Sequence, residues 1–99
     1  MILINGVPFK FVNSTDDINM AMLRPKTQTI SIDFDSYLPE TLESTVIHEL
    51  VHAADEQFKL ELGEAGVRIL EAFLFQTLST AGVDFSPLLK RITEDINGP

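Results

Sequence analysis

Both histidines of this 99-residue chain lie in one five-residue run, His48-Glu49-Leu50-Val51-His52. Residues four apart on a helix are separated by about 40° around the axis and about 6 Å along it, so both imidazoles can reach a single ion. Zinc takes such a pair readily, which makes His48 and His52 candidate ligands and Zn2+ the candidate cofactor. Glu49, beside the first of them, is placed to take a proton from a water that zinc acidifies from near 16 to about 7. Residue types in this order suit metal-assisted hydrolysis of a peptide bond, with Glu49 as the catalytic base.

Three fixed positions in five arise by chance about once in several hundred chains of this length. Context therefore decides how much the motif means. It falls in a strong helix pattern, uses every histidine in the chain, and projects away from the apolar half of that helix. The plain alternative is a polar helix face on which His48 and His52 are surface residues, with Glu49 and Glu56 as solvating charges.

The helix that must carry the motif begins at Pro39-Glu40, where proline supplies a helical φ and its missing N–H is no loss in the first turn. It is expected to run to about Phe58. Leu42, Val46, Ile47, Leu50, Val51, Ala54 and Phe58 share one half of its surface, and Thr41, Thr45, His48, His52 and Asp55 the other. The connection Lys59 to Gly63 is short enough for an antiparallel partner, a second helix from about Glu64 to Ala81 that stops before Gly82. Ser86-Pro87 reads as an N-cap followed by proline at the first helical position, opening a third helix through about Ile96.

A third protein ligand is needed, and the second helix offers two. Val67, Leu70, Leu74 and Leu78 mark its buried side, yet Glu64 and Glu71 project within that side. A buried carboxylate needs a partner. Glu64 has another explanation, since a first-turn acid suits the helix dipole and can pair with Arg68 four residues on. Glu71 sits mid-helix among apolar neighbours, and an antiparallel pairing brings it closer to level with the histidines, so position alone leans slightly toward Glu71. Asp55, one turn beyond His52, is a candidate to accept an imidazole N–H.

The first third reads as strand. Ile2 and Ile4, then Val7, Phe9 and Phe11, alternate on either side of Asn5-Gly6, a dipeptide suited to a tight turn, so residues 2–12 form a hairpin or one bent strand. A polar loop spans Asn13 to Asn19, Met20 to Leu23 is ambiguous, and Arg24-Pro25-Lys26-Thr27 reads as a turn. Thr29 to Phe34 alternates cleanly, with Ile30, Ile32 and Phe34 on the buried face. The expected architecture is a single α+β domain over residues 1–99, a small antiparallel sheet of about three strands packed on the motif helix, with two further helices behind it.

His48-Glu49-Leu50-Val51-His52 resembles the zincin signature, and a glutamate on the following helix would make the chain similar to gluzincins. More narrowly, the run from Thr45 to Phe75 resembles small metallopeptidase-like proteins common in bacteriophage genomes, and more distantly the ImmA/IrrE type. Ala53, Ala54 and Asp55 follow the signature as they often do there. Glu64, Val67, Leu70, Leu74 and Phe75 match the opening of the next helix, and the resemblance implies Glu64 as the third metal ligand, with Glu71 kept as the alternative on its position alone. It departs from the pattern at Glu71, where the relatives usually carry a small residue. The resemblance also implies that the strand before the signature helix, here Thr29 to Phe34, is an edge that holds the substrate as an added strand. A second electrophile would come from Tyr37 or Arg68, with nothing in the spacing to choose between them.

Composition limits the partners. Fifteen acidic against seven basic residues give a net charge of −8, and no run of Lys or Arg forms a basic stripe, which disfavours nucleic acid. There is no cysteine, so there is no disulfide framework and any metal must be held by His, Asp or Glu. The start lacks a basic segment followed by a long apolar run, and no stretch is apolar for about 18 residues, so the expectation is a cytoplasmic protein without membrane association, in the host cytoplasm if phage-encoded. Three functions compete: a zinc metallopeptidase acting on a protein or peptide substrate, a catalytically silent zinc-bearing interaction or regulatory domain, and a metal-free structural protein. The oligomeric state is open.

Overall fold

The computed structural model describes residues 1–14, 21–34 and 39–98. Most of the polar loop from Asn13 to Asn19, together with Met20 and Tyr37, lies outside them. Strands β1 (Ile2–Ile4), β2 (Val7–Asn13), β3 (Ala21–Arg24) and β4 (Thr29–Ile32) precede helices α1 (Pro39–Phe58), α2 (Gly63–Thr80) and α3 (Ser86–Asn97), giving the α+β fold that the sequence pattern suggests. No helix among the described residues is long and apolar enough to cross a membrane.

β1 and β2 form the expected hairpin, with Ile4 opposite Val7 and both turn residues at positive φ, Asn5 at 54° and Gly6 at 73°. Such a turn matches the twist of the strands it joins. Pro8 faces Leu3 across the pair, and the pairing of β2 with β4 begins only at Lys10, so its missing N–H falls outside the described part of that ladder.

The sheet differs from the expectation in two respects. It has four strands among the described residues, in the order β1-β2-β4-β3, because the ambiguous Met20 to Leu23 region contributes β3. It is also mixed, since β2 and β4 run parallel, with Phe11 beside Ile30 and Asn13 beside Ile32. β3 pairs antiparallel with β4 across the short 3-10 turn at Pro25–Thr27. β4 is therefore an inner strand, and the expectation that Thr29 to Phe34 is a free edge is wrong. Ser31, on the opposite face from Ile30 and Ile32, is buried as well, at 4% exposure.

One core joins sheet and helices. Phe9, Phe11, Ile30 and Ile32 pack with Leu42, Val46 and Ala53 of α1 and Ile92 of α3. A smaller cluster, Ile47 and Val51 of α1 with Val67 of α2, is flanked by Leu62, Leu70, Leu74, Phe75 and Phe85. α1 thus has two apolar sides, one on the sheet and one on α2, and the histidine stripe lies on the remaining arc.

The joint between α1 and α2 is bent by Lys59 and Glu61, both non-glycine residues at positive φ, and by Gly63 at 68°. Asp55 stabilises this bend: its Oδ1 accepts the N–H of Leu62 at 3.1 Å, and its carbonyl accepts that of Leu60. Asp55 is thus occupied at the helix end and not on an imidazole. At the start of α3 the N-cap position is held by Phe85 and not by Ser86, and Asp84 Oδ1 accepts the Ser86 N–H at 2.9 Å. That bond holds the Asp84 carboxyl below its ordinary range.

Candidate metal centre

α1 and α2 run antiparallel, and their polar contacts step down the pair in opposite chain directions: His52 with Glu64, His48 with both Glu64 and Glu71, and Ser44 with Glu71. The apolar contacts of Ile47 and Val51 with Val67 set the level at which these groups meet.

Nε2 of His48 and Nε2 of His52 lie 3.1 Å apart, with ring centroids 4.7 Å apart and the ring planes at 72°. Glu64 closes the group, placing Oε1 at 3.1 Å from His48 Nε2 and Oε2 at 3.0 Å from His52 Nε2. Among the described residues, His48, His52 and Glu64 are brought together so that their ligand atoms all lie within 4.8 Å of one another. The donor set can be tested against zinc directly. Four-coordinate zinc with ligands at about 2.0–2.1 Å separates neighbouring ligand atoms by about 3.3 Å. The two imidazole nitrogens, 3.1 Å apart, fall short of that by about 0.2 Å, and Glu64 meets each of them with a different oxygen, so the set fits zinc once the carboxylate turns one oxygen toward both nitrogens. Three protein donors leave a further position on the solvent side, where the Glu64 side chain is 53% exposed.

Glu71 reaches the same histidine from elsewhere. Its Oε1 is 2.6 Å from His48 Nδ1, the nitrogen on the other side of the ring from Glu64. Ser44, one turn before His48, donates its hydroxyl to the second oxygen of Glu71 at 3.3 Å. Glu64 and Glu71 are seven residues apart, about 10 Å along α2, so the two carboxylates bracket the His48 ring instead of sharing one side of it. Ser44 went unread in the sequence, although it sits four residues before His48 on the same stripe of α1.

Arg68 pairs with Glu64, its Nε 3.4 Å from Oε1, as expected from the spacing of four. Partial burial tends to raise the Glu64 carboxyl, but His52, the Arg68 hydrogen bond and His48 together outweigh it and hold the group below 4.5. Glu64 is therefore an anion at neutral pH, as a metal ligand must be.

Glu49 lies about 60° around α1 from His52 and a similar angle from Val46, between the histidine stripe and the line buried on the sheet. Only 6% of it is exposed. Burial raises its carboxyl above 4.5, His52 and His48 oppose that rise, and the charge of Glu64 adds to it. The group is thus close to the histidines and poorly hydrated, the setting in which a carboxylate is a stronger base than in water.

Comparison of the chain with protein-family models, with curated proteins and with solved structures finds no match.

Proposed function

We propose that this chain is a zinc-dependent metallopeptidase-like protein, acting in the cytoplasm on a protein or peptide substrate. The observation that carries the reading is the convergence of His48 Nε2, His52 Nε2 and the Glu64 carboxylate at 3.0–3.1 Å from one another, with Glu49 next in sequence to the first histidine. A bound zinc would supply Lewis acidity toward a water and toward the carbonyl oxygen of the scissile bond. Glu49 is the group that accepts the proton from the attacking water and returns it to the departing amine nitrogen. Arg68 holds Glu64 from the solvent side. β3, an outer strand of the sheet and a packing neighbour of α1, is the edge that an extended substrate backbone could join.

One observation favours a second reading, the burial of Glu49 to 6% exposure. A base so enclosed also suits a zinc-bearing interaction domain without turnover.

The test is metal content and hydrolysis together. Elemental analysis of the purified protein should give about one zinc per chain, lost in Glu64→Ala, and cleavage of an unstructured protein such as casein should vanish in Glu49→Gln while zinc stays bound. A zinc-free protein whose melting temperature does not respond to added zinc would sink the metal reading. Zinc without any Glu49-dependent cleavage would favour the interaction domain.

A further inference from the structure

An imidazole that ligates a metal through Nε2 must carry its proton on Nδ1, and in a free histidine nothing enforces that choice. At His48 the choice is built into the fold. Nδ1 faces Glu71 Oε1 at 2.6 Å, and the second Glu71 oxygen accepts the Ser44 hydroxyl at 3.3 Å. Meanwhile Nε2 faces His52 and Glu64. Glu71 is three-quarters covered by its surroundings and held at both ends, so it presents a fixed acceptor to one nitrogen only. Such a contact fixes ring orientation and tautomer, and it makes the opposite nitrogen a better donor to an ion.

We infer that Glu71, braced by Ser44, is a positioning residue that locks His48 in the Nδ1–H tautomer and aims its Nε2 lone pair at the point shared with His52 and Glu64. Glu71 is then neither a spare ligand nor a stray buried acid, which accounts for a carboxylate mid-helix on the apolar side of α2. The contribution to metal affinity rests on the zinc reading above. The tautomer does not, because it is a property of the metal-free protein.

The experiment separates the two. In 15N-labelled, metal-free protein, two-bond 15N–1H correlations report which ring nitrogen of each histidine is protonated, and a His52→Gln variant assigns the only two rings in the chain. Wild type should show His48 as Nδ1–H. Glu71→Ala should shift His48 toward Nε2–H and weaken zinc binding about 10- to 100-fold in a chelator competition. Glu71→Gln, whose side-chain carbonyl can still accept the proton, should keep the tautomer and lose less affinity, and it serves as the check should Glu71→Ala fail to fold. An unchanged His48 tautomer in Glu71→Ala, or a wild-type His48 already in the Nε2–H form, would overturn the inference. Loss of zinc in Glu71→Ala as complete as in Glu64→Ala would overturn it too, because Glu71 would then be a ligand. If wild type takes up no zinc, the metal reading fails while the tautomer data still decide the role of Glu71.

Discussion

Glu71 and Glu64 grip opposite nitrogens of His48: Oε1 of the first lies 2.6 Å from Nδ1, and Oε1 of the second 3.1 Å from Nε2. The two carboxylates that compete for one role in the sequence therefore have different neighbours, and their removal should have different consequences.

On the zinc reading, the ion should stabilise the fold, since its three proposed donors come from two helices joined by a strained link. At a free zinc concentration about 100 times Kd the gain is about 2.7 kcal/mol, roughly 10–20 °C in Tm for a domain of this size. Differential scanning calorimetry with and without a chelator reads this. Glu64→Ala should abolish the response.

Glu49→Gln makes the sign of a burial effect visible in the metal-free protein. The folded chain raises the Glu49 carboxyl above 4.5, so between 4.5 and that raised value the folded state binds more protons than the unfolded one. The stability tied to the neutral acid is complete below 4.5 and lost as pH rises through the folded value. Glutamine mimics the neutral acid at every pH, so the variant should melt higher than wild type at pH 7, and the two should converge near about pH 4. Melts in chelator decide it, and a variant that melts lower at pH 7 would refute the argument.

Asp55 should matter to the fold and not to the metal. Its carboxylate caps the link at Leu62 N–H, and Asp55→Ala should cost about 1–2 kcal/mol in urea denaturation. Zinc affinity should change by less than about twofold, whereas a ligand-orienting residue would give 10-fold or more.

Lys59, at φ 53° directly after the last residue of α1, stands where a helix usually places glycine. A left-handed conformation costs a residue with a side chain about 1–2 kcal/mol, part of which glycine gives back through its larger unfolded-state entropy. Lys59→Gly should therefore raise stability by about 0.5–1 kcal/mol. An equal or lower denaturation midpoint would mean that the Lys59 side chain contributes packing of its own.

The helices were legible because their signals are local: Pro39 opens α1, the apolar repeat ends at Phe58, and Gly82 follows α2. Strand order was not, because β2 and β4 pair across more than a dozen residues and nothing in either strand encodes its neighbour. β3 escaped for a related reason, being four residues long with no alternating pattern. At the site, helical projection found His48, His52, Glu64 and Glu71. It could not say which ring nitrogen each carboxylate would meet, because that depends on how far α2 slides along α1. Asp55 is on the histidine stripe, as the projection has it, but close enough to the helix end for the backbone N–H of Leu62 to claim its carboxylate.

The strand order also bears on how the N-terminal third assembles. β1 with β2, and β3 with β4, are each closed by a short local connection, so each pair can form quickly without the other. Their union at β2 and β4 is a single parallel seam whose register no turn dictates. It has to be set by the core residues on either side of it, Phe9 and Phe11 against Ile30 and Ile32, once α1 and α3 are in place. That seam is where the sheet should come together last and part first, with the amides of Lys10 and Ser14, which donate across it to the carbonyls of Gln28 and Ile32, exchanging with solvent ahead of those inside the β3–β4 pair.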